Sequence, residues 1–221
     1  MGKKIGVVLS GCGVFDGAEI HEAVLTLLYI DQQGAEIICM APDVPQAHVI
    51  NHLTQEEMKE SRNVLVESAR IARGEIRNIK DVKVDDLDGL ILPGGFGAVK
   101  NLSDFAFKGP GGAVNPDVKK LVGDMVNGGK PIGALCIAPA TVGMALSDKA
   151  PEMTIGNNEE TIGALQALGV KHQVCAVDEI AVDQKNKIVT APAYMLGPGI
   201  KDVAKGIEKV VKKVLDLVAP S

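Results

Sequence analysis

The sequence predicts an α/β fold, a mostly parallel β-sheet covered by helices on both faces. Three observations carry this expectation. Short β-branched apolar runs alternate with longer runs of helical period along the whole chain. The first run, Lys4 to Leu9, is apolar without alternation, as expected of a strand buried on both faces. Glycines or prolines punctuate the run ends, as in Ser10-Gly11-Cys12-Gly13, Ala41-Pro42 and Pro93-Gly94-Gly95.

After the first strand, Ala18 to Gln33 reads as a helix with Ile20, Val24, Leu27 and Leu28 on one face, stopped by Gly34. Glu36 to Met40 is a second strand. Asp43 to Asn51 reads as irregular. Thr54 with Glu57 three residues later is a capping-box signature, which predicts a polar, Arg-rich helix to about Arg73, closed by Gly74. Gly89 to Leu92 is a buried strand. Asn101 to Asn115 is a loop bearing Gly and Phe, too long for a mere connector, and such loops often carry function. Pro116 to Asn127 is a helix, and Pro131 to Leu135 a strand that runs straight into Cys136. Ile137 to Leu146 is a helix with Pro139 tolerated in its first turn. Asn158 to Leu168 is another helix, Glu179 to Thr190 a hairpin around Asp183-Gln184-Lys185-Asn186, and Ile200 to Val218 a terminal amphipathic helix. With 221 residues and no repeat or low-complexity linker, the chain reads as one domain over 1–221.

Composition narrows the function. A net charge of −5 gives no basic surface for a phosphate backbone, and few aromatics and no Trp leave little to stack on bases, so nucleic acid is not an expected partner. No stretch approaches the ~20 apolar residues of a membrane span. The N-terminal apolar run is too short for a signal peptide and is followed by Asp16, Glu19 and Glu22, and Gly6 spoils a myristoylation motif at Gly2. The expected compartment is the cytoplasm. The four cysteines (Cys12, Cys39, Cys136, Cys175) form no CxxC pair and suit reduced thiols. The four histidines fall in no zinc-binding pattern, and no metal is expected.

The chemistry points to Cys136. A strand entering a helix through one residue with small neighbours (Gly133, Ala134, Ala138) is the geometry of a nucleophile elbow. A cysteine at a helix N-terminus is expected to favour the thiolate, and the N–H of Ile137 can face an oxyanion. The competing reading is an inert cysteine packed as a small hydrophobe. In Leu92-Pro93-Gly94-Gly95-Phe96-Gly97, the Gly95 N–H would complete an oxyanion hole if the two strands are neighbours. No histidine lies near Cys136 in sequence to move a proton. Glu19 and Glu22, three apart on the first helix, remain as acid–base candidates, although acids in a first turn also simply complement the helix dipole. His21 reads as structural. Cys12 and Tyr194 are candidate pocket residues at the same sheet edge, with Gly94 beside them. Asn51, His52, Arg62, Arg70 and Arg73 either frame the pocket mouth or form a solvated face, the second being preferred.

Gly-Ala-Leu-Cys136-Ile-Ala-Pro, Leu-Pro-Gly-Gly95-Phe-Gly, and the run from Ser10 through Cys12 and Glu19 to Glu22 resemble the ElbB (enhancing lycopene biosynthesis) family. So do Ile50-Asn-His52-Leu-Thr, Arg70-Ile-Ala-Arg-Gly-Glu-Ile and Thr190-Ala-Pro-Ala-Tyr194-Met. The resemblance spans about Lys3 to Val218 and places the chain in the class I glutamine amidotransferase-like, or ThiJ/PfpI, superfamily. It implies a flavodoxin-like three-layer sandwich, a reactive Cys136, and a glutamate beside it from the first helix. Counted back from Gly34, that is Glu22 first and Glu19 second. It also implies a homodimer and a glyoxalase needing neither glutathione nor any cofactor, with a small aldehyde (glyoxal, perhaps methylglyoxal) as substrate. A link to isoprenoid production comes with the family name. Two features depart from the superfamily. Thr190 to Met195 lacks the His of a glutamine amidotransferase triad, and Ile137 stands where PfpI-type peptidases have His. The rival readings are a thiol or small-molecule sensor built on Cys136, and a nucleotide-binding domain suggested by Gly11-x-Gly13. Acidic residues beside a pyrophosphate argue against the second.

Overall fold

The structure, a computed structural model, describes residues 2–219, so Met1, Pro220 and Ser221 of the expected 1–221 domain lie outside it. The chain runs β1 (Lys4–Val8), α1 (Ile20–Gln32), β2 (Glu36–Ala41), α2 (Val64–Ile71), β3 (Arg77–Asn78) and β4 (Gly89–Leu92). It continues through α3 (Gly97–Lys100), α4 (Phe105–Lys108), α5 (Pro116–Asn127), β5 (Ile132–Leu135), α6 (Ala138–Ala145), β6 (Glu152–Met153) and α7 (Glu159–Ala167). It closes with β7 (Lys171–His172), β8 (Ala181–Asp183), β9 (Ile188–Ala191) and α8 (Ile200–Leu217).

Seven strands form the main sheet in the order β3-β2-β1-β4-β5-β9-β8, while β6 and β7 pair separately. Every pairing in the main sheet is parallel except the β8–β9 hairpin at the edge. Because side chains alternate across a strand, successive apolar residues feed two cores. Ile5, Val7 and Ile91 meet α1 and α8 (Val203, Ile207, Val210, Val214) on one face. Leu90, Leu92 and Ile132 meet α5 and α6 (Leu121, Val122, Met125, Val142) on the other. This is the α/β three-layer architecture expected from the alternation. The β4–β5 register, Leu92 opposite Ala134, brings the C-terminal ends of those two strands side by side. Gly94-Gly95 and Cys136 therefore leave the sheet as neighbours.

Two expectations fail. The helix from Thr54 does not form: Asn63 caps α2 instead, its side chain accepting from Val66 N–H. The Thr54 hydroxyl accepts from Glu56 N–H in a local turn, and Gln55 sits at φ 62°. Residues 52–61 are exposed throughout, so a helix there would have no face to bury and nothing to offset its ordering cost. On α1, the Ile20, Val24 and Leu28 stripe does not face the core; these residues are 42, 48 and 43 % exposed. The buried face carries Glu22, Ala23, Thr26 and Ile30. The carboxylate goes inside because backbone N–H groups await it there.

Candidate active site around Cys136

Cys136 opens the two-residue turn between β5 and α6 at φ 58°, a left-handed conformation that costs a non-glycine residue energy. Its N–H donates to the Ala191 carbonyl at 3.0 Å, tying the elbow to β9. The backbone N–H groups of Gly95 and Ile137 both point at its sulfur. Gly95 has φ 93°, and a Cβ there would overlap the Gly17 carbonyl and the Glu19 N–H.

Glu22 is fully buried beside this thiol. One carboxylate oxygen, Oε2, accepts from Gly94 N–H at 2.8 Å; Oε1 accepts from Tyr194 N–H at 3.2 Å; and the Cys136 thiol hydrogen-bonds the same group. Glu19 is the N-cap of α1, its Oε2 accepting from Glu22 N–H at 2.7 Å. Of the two carboxylates read from the sequence, Glu22 reaches the sulfur and Glu19 caps the helix while lining the cavity.

Burial raises the Glu22 carboxyl to about 7, with the Glu19 charge adding to it and the Tyr194 and Gly94 N–H groups opposing. Burial also pushes the Cys136 thiol well above its ordinary value, the Glu22 charge reinforcing it and the Gly95 and Ile137 N–H groups opposing. The expectation of a resting thiolate is corrected here. Cys136 is only 8 % exposed, and desolvation beside a carboxylate outweighs the helix N-terminus. Each charge raises the other group's value, so ionising both at once is disfavoured.

A cavity of about 810 Å³ opens over the sulfur, lined among others by Val14, Glu19, Gly95, Phe96, Ile137 and Tyr194. Cys12 is not on its wall; it faces Glu67, Arg70, Asp16 and Arg62 on the far side of the loop, which corrects its placement in the pocket. Gly94 is corrected as well: it lies behind the nucleophile, where any side chain would strike the Cys136 Cβ and the Glu22 Oε2. Arg62 and Arg70 pair with Glu67 (3.7 and 2.8 Å) and do not frame the mouth. His52 accepts from Phe15 N–H at 3.2 Å and buttresses the Gly11–Gly17 loop.

The sequence reading missed Phe96, Met195 and the Asn157–Thr161 wall at the start of α7. Nothing local marks that wall except the Asn158 helix cap. His21, read from the sequence as structural, has its Nδ1 2.7 Å from the Tyr194 hydroxyl at the cavity rim. The four cysteines are free thiols. Among the described residues, no group of three His, Cys, Asp or Glu side chains is arranged to hold a metal ion, and no helix is long and apolar enough to cross a membrane.

The family model for the DJ-1/PfpI family matches residues 12–195, a span that contains Glu22, Gly95, Cys136 and Tyr194. The chain belongs to the DJ-1/PfpI family. Its sheet and flanking helices are the flavodoxin-like fold expected for that family. A crystal structure of an isoprenoid biosynthesis protein with amidotransferase-like domain from Ehrlichia chaffeensis superposes with a TM-score of 0.90 at 37% identity, covering 96% of this chain and 99% of that one. The rat "ES1 protein homolog, mitochondrial" is 47% identical over 97% of this chain and 84% of its own length. The human "Glutamine amidotransferase-like class 1 domain-containing protein 3, mitochondrial" is 46% identical over 97% of this chain and 83% of its own length. These mitochondrial relatives overturn the cytoplasmic expectation, which rested on reading no signal peptide, membrane span or myristoylation motif.

Proposed function

We propose that this DJ-1/PfpI protein is a glyoxalase of the ElbB type, converting glyoxal to the hydroxy acid without glutathione or a metal. The observation that carries the reading is the buried Glu22 carboxyl, raised to about 7 and hydrogen-bonded to the Cys136 thiol at the floor of the cavity. A carboxyl with that value exchanges protons readily at neutral pH.

Glu22 takes the thiol proton as sulfur adds to one aldehyde carbon. The Gly95 and Ile137 N–H groups stabilise the oxygen of the resulting hemithioacetal. Glu22 hands that proton to the hemithioacetal oxygen and, as a carboxylate again, moves the hydrogen of the sulfur-bearing carbon to the adjacent carbonyl oxygen, giving an enediol. Return of a proton to the second carbon leaves a thioester. Water cleaves it to the hydroxy acid and restores the thiol. The net change is addition of one water, with one carbon oxidised and its neighbour reduced, so no external oxidant is required.

A redox sensor at Cys136 is less well supported. Oxidation proceeds through the thiolate, and burial beside the Glu22 charge favours the thiol form of this residue. The mitochondrial relatives support a mitochondrial rather than a cytoplasmic setting. A homodimer is proposed through the exposed Ile20, Val24 and Leu28 stripe.

The deciding experiment is glyoxal turnover by the purified protein with no added thiol, beside Cys136→Ser. Metal-independent turnover that disappears in the variant supports the covalent route. Absence of turnover in the native protein overturns the glyoxalase reading.

A further inference from the structure

The cavity over Cys136 is far larger than glyoxal requires, and it does not end at its own walls. A second cavity of about 520 Å³ shares Phe96, Ile137 and Thr161 with it. Its other wall is Val99, Phe105, Phe107 and Pro110. The chain has four phenylalanines, and three of them line this annex. Two stand largely unburied, Phe96 at 45 % and Phe107 at 50 %. Apolar surface left uncovered beside a reactive group marks a binding surface more often than a packing lapse.

The annex is built on the long Asn101–Asn115 segment, and that segment is bolted down. The Ser103 hydroxyl lies 2.8 Å from the Thr141 hydroxyl of α6, which in turn donates to the Ala98 carbonyl at 2.6 Å. Asn115 N–H donates to the Leu102 carbonyl at 2.8 Å and closes the base of the loop. His48 meets the Phe107 ring edge-on with centroids 5.3 Å apart. The apolar wall is therefore formed before anything binds. The charged side chains on the two cavity walls are Glu19, Glu159 and Glu160, all acidic.

We infer that the substrate of this site is an α-oxoaldehyde carrying an uncharged apolar tail longer than a methyl group, its carbonyl at Cys136 and its tail in the Phe96–Phe105–Phe107 annex. The inference rests on the glyoxalase reading for the reacting end and on the annex for the tail. The shared residue Ile137 decides the orientation: it borders both cavities, and its N–H faces the sulfur. The acidic lining disfavours a tail ending in carboxylate or phosphate, with Lys100 Nζ, 5.4 Å from the Phe96 ring centroid, as a neighbouring cation.

The test is a chain-length series. In the native protein, kcat/KM should rise from glyoxal through methylglyoxal to pentylglyoxal and hexylglyoxal, by up to about fourfold per added methylene. Phe107→Ser should flatten that rise; the ring is half-exposed, so the fold should survive its loss. A parallel measurement does not depend on turnover. The melting temperature of Cys136→Ser should rise with 1,2-octanediol more than with 1,2-propanediol, and Phe107→Ser should remove the difference. Octanediol stabilisation without glyoxal turnover keeps the annex and overturns the glyoxalase reading. Glyoxal turnover with no dependence on chain length, in either measurement, overturns the annex.

Discussion

Glu22 Oε2 accepts a hydrogen bond from the Gly94 N–H at 2.8 Å across a sequence separation of 72 residues. The bond joins the buried face of α1 to the turn after β4 and holds a carboxyl against the Cys136 thiol. Gln in place of Glu22 would keep the size and lose the base. Glu22→Gln is expected to lower kcat for glyoxal by about a hundredfold or more, the usual range for a positioned base. Circular dichroism should show the fold retained.

The same carboxyl sets a pH dependence. With Glu22 titrating at about 7, kcat/KM should rise with pH through that value, because the ionised form is the base. Stability runs the other way. A carboxyl raised on folding from 4.5 to about 7 contributes stability below pH 4.5 that is lost as pH rises through about 7. Melting temperatures of the native protein should therefore fall relative to Glu22→Gln across that window. Parallel curves for the two proteins would contradict the assignment.

Gly94→Ala tests the close approach behind the nucleophile. The added methyl overlaps both the Cys136 Cβ and the Glu22 Oε2, and neither can retreat from a packed turn. A loss of about 1–3 kcal/mol in denaturant titration is expected, together with loss of turnover. Gly129→Ala is a poor control because Gly129 has φ 64°. Gly123→Ala, inside α5 with open space at its Cβ, is the better one: it should leave turnover unchanged and raise stability by about 0.5–1 kcal/mol.

Tyr194 touches the site in two ways. Its backbone N–H donates to Glu22, and its hydroxyl bonds His21 at the rim. Tyr194→Phe removes only the second. Turnover should fall by less than about tenfold, the size of one neutral hydrogen bond. A collapse to the level of Glu22→Gln would place the hydroxyl in the chemistry itself.

The exposed α1 stripe predicts association. Val24→Lys with Leu28→Lys puts two charges where a dimer would bury apolar surface. Light scattering should show the native protein at twice the chain mass and the variant at one. A monomeric native protein would remove the dimer proposal.

Much of the site was readable because its signals are local. The small residues around Cys136 and the glycines after β4 mark sharp turns whose backbone geometry few other residues tolerate. Glu22 was reachable only through the family resemblance, which places a glutamate about twelve residues before the Gly that closes the first helix, here Gly34. The errors came where local pattern met long-range packing. Thr54 and Glu57 satisfy a capping rule, but nothing in the fold covers the helix they would start. Ile20, Val24 and Leu28 satisfy helical periodicity, yet the core lies on the other side of α1.

The sequence by itself determined the alternation of the main strands and helices, the elbow at Cys136 and the glycine turn after β4, because these follow from neighbouring residues and backbone sterics. Only the tertiary structure decided that Glu22 rather than Glu19 meets the sulfur, that the thiol is held protonated, that Cys12 lies outside the cavity, and that three phenylalanines gather beside the site. Those outcomes depend on desolvation and on contacts between distant segments, which exist only after the sheet has brought β1, β4 and β5 together.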